Sequence, residues 1–190
     1  MLLSEQVKIA TTAVHKELEE VSESQKIFDR TYTIKQYGKM LRNNYRFCVE
    51  LEKYFDDYQH QFLQLNLQNR RKCNYLVKDL EELKIPLPET VMALSIKNSA
   101  EFLGALYVAE GAMLGGQVIK KQLLQNLSFA NCNAFRYYTC YGEDLRNNWI
   151  EFIDVMNKFG EEKPLNTENV LEGAFKGFNF YKSMAASTVT

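Results

Sequence analysis

The chain has 190 residues and a formal charge of −1, with a sequence pI of about 6.2. That length can bury about two thirds of the unfolded surface, so no disulfide staples are needed. Acids and bases are interspersed and Lys120-Lys121 is only a pair, which argues against a polyanion-binding surface. Four cysteines (Cys48, Cys73, Cys132, Cys140) lack CxxC spacing and are expected as reduced thiols of an intracellular protein. Met1 to Ala10 lacks the basic start and apolar core of a signal peptide. No apolar run reaches the ~20 residues of a membrane span. A cytoplasmic protein is expected, with no nucleic-acid or membrane partner.

Helical spacing dominates the chain. Ser4 is the expected N-cap of a first helix, with Val7, Ala10, Val14 and Leu18 on its apolar face. Thr33 caps a second, whose buried stripe runs Ile34, Tyr37, Leu41, Cys48, Leu51 and Phe55. A third segment is expected from about Phe62 to Leu83, interrupted by Asn66 and Asn69. Pro86 and Pro88 break the chain. Ser99 opens the most apolar helix, through Phe102, Leu106, Val108, Met113, Val118 and Leu123. Asn126 to Asn133 is a polar break. Aromatic residues follow at Phe135, Tyr137, Tyr138 and Tyr141, then Trp149, Phe152 and Met156 at helical spacing. Gly160 and Pro164 form the last break. A final helix runs from about Thr167 through Leu171, Phe175, Phe178 and Tyr181. No strand-like alternation occurs, so the expected fold is all-α, one domain over residues 1–190.

Packing leaves two features over. His15 lies beside the apolar stripe of the first helix. A lone helical histidine is most often a packing or surface residue, but its neighbours point further. Glu19, at i+4, can accept the Nδ1 proton, which fixes the tautomer and frees Nε2 for a metal. Lys8, seven residues earlier, lies roughly 10 Å along the axis at ~1.5 Å per residue. That offset suits an ammonium meeting a haem propionate while the imidazole meets the iron.

The second feature is Gly111-Ala112-Met113-Leu114-Gly115-Gly116. Each glycine costs about 1 kcal/mol relative to alanine in a helix interior. Gly111 and Gly115 share a face and can let a flat ligand lie against the backbone. An isolated small-xxx-small pair usually means close helix packing, and that reading is kept for Gly173 and Gly177.

Other chemistries lack their residues. The only other histidine is His60, in a polar stretch, so the Glu and His cluster of a di-metal bundle cannot be assembled. There is no phosphate loop after a strand and no nucleophile elbow. Chemistry must come from a bound cofactor.

Val7 to His15 with Glu19 resembles the proximal helix of the haem oxygenases. Leu106 to Gly116 resembles their glycine-rich distal helix in its bacterial form, and Tyr141-Gly142 leading to Trp149 and Phe152 resembles the next bacterial block. The resemblance covers about residues 5–180. It implies a helical bundle holding haem b, both cofactor and substrate, between the two helices. His15 would be the axial iron ligand and Glu19 its support. Lys8 would bind a propionate, and Gly111, Gly115 and Gly116 would cover the distal face. O₂ and electrons from an external donor (ferredoxin, flavodoxin or a reductase) would open the ring to biliverdin, CO and ferrous iron.

Two departures stand out. Many relatives carry an Asp at the position of Ala112, and some carry a basic residue at that of Thr12. The far propionate would meet Arg146, Arg136 or Tyr138 instead. Ala112 also motivates an alternative, a non-catalytic haem carrier or sensor of the same fold.

Overall fold

The structure is a computed structural model describing residues 1–89 and 92–186; Thr90, Val91 and the last four residues of the expected 1–190 domain lie outside the described residues. Among the described residues, eight α-helices run in chain order: α1 (Leu3–Val21), α2 (Gln25–Phe28), α3 (Ile34–Glu52), α4 (Phe55–Tyr58), α5 (Cys73–Glu82), α6 (Ser99–Leu123), α7 (Leu145–Glu162) and α8 (Thr167–Ala186). Short 3₁₀ turns join them, and no strand occurs among the described residues. The all-α class read from periodicity is the class observed.

Local signals account for the starts of α3 and α6. The Thr33 hydroxyl accepts the Gln36 N–H at 3.2 Å while the Gln36 side chain accepts the Thr33 N–H at 2.9 Å, a reciprocal capping box. The Asn98 carboxamide accepts the N–H groups of Ala100 and Glu101 at the start of α6.

Four expectations need correction. The second helix ends at Glu52, and Phe55, expected on its stripe, opens the separate α4. Helix α1 begins at Leu3, ahead of Ser4, because buried Leu3 packs on α7 and the Ser4 N–H goes to Asn157 Oδ1 at 3.0 Å. The 62–83 segment is not one helix. Asn66 takes a left-handed φ of 43° between two 3₁₀ turns, and only Cys73–Glu82 is α-helical. Gly160 is no break; it lies inside α7, where a Cβ would come within 2.8 Å of Leu3 Cβ. The break belongs to Pro164.

The α6–α8 crossing is the most extensive contact, and α1 packs on the other side of α8. Helix α6 is long and apolar enough to cross a membrane, yet its first half is buried in this core from Ala100 to Leu106. Two hydrophobic clusters result. Phe47, Phe102, Leu106, Phe152, Ala174 and Phe178 belong to the larger. Tyr37, Leu41, Met113, Phe135, Tyr137 and Tyr138 belong to the second. The four cysteines are free thiols.

Candidate active site

Helix α8 stands between the two helices that carry the candidate residues. Phe178 is buried and places its ring edge-on to the His15 imidazole, 5.6 Å between centroids and 74° between planes. Its neighbour Gly177 faces α6, where a Cβ would lie 3.0 Å from Val108 Cγ2. His15 itself is 56% exposed, with Nδ1 3.4 Å from Glu19 Oε1. The imidazole is thus steadied on one edge by apolar contact and on the other by a carboxylate. Its Nε2 takes no hydrogen bond among the described residues. Lys8 is exposed two turns earlier, and Thr12, one turn earlier, is exposed too, its hydroxyl donating back to the Lys8 carbonyl at 2.8 Å.

The glycines divide into two groups by what a side chain would meet. At Gly104 and Gly173 a Cβ would lie 1.9 Å from a backbone oxygen, Val170 O and Glu101 O respectively. These two exist for the α6–α8 crossing. At Gly116 a Cβ would fall 2.1 Å from Tyr138 Cδ1, so this glycine makes room for a buried aromatic ring. Gly111 and Gly115 serve neither purpose. A Cβ at Gly115 meets nothing within 4 Å, and one at Gly111 would only touch the Trp149 ring at 3.9 Å. These two share a face with Leu114 and Val118, both exposed. The result is an apolar, side-chain-poor strip on an otherwise packed helix.

The other expected contacts are dispersed. Tyr138 is buried, its hydroxyl accepting from Asn44 Nδ2 at 3.3 Å, and burial pushes its pKa up. Arg146 is exposed on α7. Arg136 is engaged elsewhere, with Asp79 at 3.3 Å and Glu82 at 3.2 Å.

Sequence reasoning missed a buried ion cluster behind the strip. Glu110 accepts from Arg70, Lys72 and the Tyr141 hydroxyl, and the Lys72 ammonium lies 4.9 Å from the centroid of the Tyr141 ring. Burial opposes the Lys72 ammonium, but Glu110, with Tyr141 and Cys140 beside it, together outweigh burial and hold the lysine pKa above its ordinary value. Burial raises the Tyr141 pKa. The signal was present: a carboxylate in the most apolar helix must find partners, and Arg70-Arg71-Lys72 is a basic run.

The family model described as heme oxygenase matches residues 1–187. The chain belongs to the haem oxygenase family. It is therefore a haem oxygenase enzyme, an oxidoreductase that binds haem. A heme oxygenase of Xanthomonas campestris pv. campestris is 30% identical over 122 residues, 64% of this chain and 72% of that protein. Among solved haem oxygenase structures, the NO- and CO-bound protein from Neisseria meningitidis superposes with a TM-score of 0.79 at 19% identity, covering 97% of this chain and 90% of that one. That from Leptospira interrogans gives 0.82 at 14% identity, covering 98% and 99%.

The residues present fit the cofactor of this family. At Gly115 a Cβ would meet nothing within 4 Å and at Gly111 only the Trp149 ring, so the backbone there is open to a flat ring. An exposed imidazole with its Nδ1 edge turned to a carboxylate suits axial ligation.

Proposed function

We propose that this haem oxygenase binds haem b with His15 as axial ligand and the Gly111–Gly115 strip as distal wall. On this reading it opens the ring with O₂ and electrons from an external donor (a ferredoxin, flavodoxin or reductase) to give biliverdin, CO and ferrous iron. The contrast among the α6 glycines carries the proposal: Gly104 and Gly116 are required by packing, whereas Gly111 and Gly115 are not. A helix spends about 1 kcal/mol on each such glycine, and a ligand that must touch backbone explains the expenditure.

Each residue has a physical role. Glu19 steadies the His15 ring from its Nδ1 edge, and Phe178 limits its rotation. Lys8 offers an ammonium to one propionate and Arg146, exposed on α7, serves the other; Tyr138, buried and bonded to Asn44, packs behind the strip instead. Gly111 and Gly115 admit the ring plane close to the helix, and Gly116 contributes by seating Tyr138 beside them. Haem, when bound, supplies both the iron that activates O₂ and the carbon skeleton that is cleaved. Ala112, half-buried against the second cluster, carries only a methyl group, so bound water must take the part of proton delivery. The reading places the enzyme free in the cytoplasm.

The test is a hemin titration followed by ascorbate in air with catalase present. A 1:1 Soret band that decays into a biliverdin spectrum is expected. A stable Soret band across several electron donors would overturn the ring-opening step, and no Soret band would overturn the site.

A further inference from the structure

Glu110 directly precedes Gly111, and its side chain is only 1% exposed. Arg70 Nη1 donates to Oε2 at 2.7 Å, Lys72 Nζ to Oε1 at 2.7 Å, and the Tyr141 hydroxyl lies 2.9 Å from both oxygens. Arg70 reaches on to Glu151 Oε2 at 2.8 Å and the Asn148 carbonyl at 3.2 Å. One carboxylate thus ties α6 to the turn before α5, to the 137–141 segment and, through Arg70, to α7. Such a cluster is stiff, because any partner that withdraws leaves an uncompensated buried charge.

Two more rungs continue on the same face of α6. Met113 Sδ lies 3.8 Å from Cys140 Sγ, and Gln117 Nε2 donates to the Tyr138 carbonyl at 2.7 Å. Positions 110, 113 and 117 are spaced by three and four, so they form one stripe. Gly111, Leu114, Gly115 and Val118 form the neighbouring open stripe. The first half of α6 is held differently, by the glycine crossing with α8.

We propose that Glu110 is a positioning residue of the distal wall: by anchoring the second half of α6 to Arg70, Lys72 and Tyr141, it sets where the Gly111–Val118 stripe stands over the haem. What the stripe faces rests on the functional reading above; the anchoring does not. Glu110 is the carboxylate nearest in sequence to the open strip, and it works through the wall's position.

Hydrogen exchange on the haem-free protein tests the anchor. In Glu110→Gln, amides 111–118 should exchange about tenfold faster while amides 100–108 keep the parent rates. Tyr141→Phe removes one donor and leaves both cationic contacts, so it retains the fold and should act in the same direction with a smaller size. On the ferric haem complex, both variants should raise the affinity for 4-phenylimidazole relative to azide, by about fivefold for Glu110→Gln, because a loosened wall admits the bulkier ligand. General destabilisation would weaken both ligands alike. Unchanged exchange at 111–118, uniform acceleration along α6, or an unchanged ligand ratio would overturn the proposal. Failure of the parent protein to bind hemin would instead overturn the functional reading, with the exchange rates still deciding the anchor.

Discussion

Gly173 has no room for a side chain, because a Cβ there would lie 1.9 Å from the carbonyl oxygen of Glu101. The clash is with backbone, which cannot rotate away. Gly173→Ala should therefore cost about 3 kcal/mol, lowering Tm by roughly 10 °C. Thermal denaturation of the haem-free protein measures this. A Tm within a degree of the parent would show that α6 and α8 can separate cheaply.

Gly115 should behave in the opposite way. Its Cβ position is empty, so Gly115→Ala should keep or raise helix stability by up to ~1 kcal/mol. Gly115→Leu should leave helicity largely intact but block haem binding or ring opening. Unaltered turnover in the leucine variant would place the distal wall elsewhere.

His15→Ala removes a side chain that is 56% exposed, so the fold should change by less than about 0.5 kcal/mol. The six-coordinate, water-ligated haem spectrum should vanish, and added imidazole should restore it. An unchanged spectrum would reject His15 as ligand.

Burial pushes the Cys140 thiol up to about 11 from a usual value of 9.0. A folded-state pKa above the unfolded one means that the unfolded thiol ionises first as pH rises. Stability from this group is whole below pH 9 and declines through about 11. Alkylation of Cys140 at pH 9 should be slow in the native protein and fast in denaturant, because only the thiolate reacts. Mass spectrometry of the labelled peptide decides it, and equal rates would deny the shift.

Where the structure follows the sequence, the cause is local. The Thr33–Gln36 capping box spans three residues, and the His15–Glu19 pair spans four. Both are fixed once a helix forms. The failures are also instructive. Asn66 adopts a left-handed conformation and divides an apolar segment that spacing alone joins. Gly160 reads as a stop signal, yet Leu3 arrives from the far end of the chain to fill the space it leaves.

Sequence by itself determined the all-α class, the course of most helices, the candidate ligand and the glycine strip, because period, caps and one-turn neighbours are properties of a few adjacent residues. Only the tertiary structure decided which glycines are spacers and which are open. Gly104, Gly111, Gly115 and Gly116 are chemically identical, and they differ in what the fold brings against them: α8 backbone, the edge of Trp149, nothing within 4 Å, and the Tyr138 ring. The Glu110 cluster was hidden for the same reason. Its partners lie 31 to 40 residues away along the chain, and burial of charge compels pairing without naming the partner.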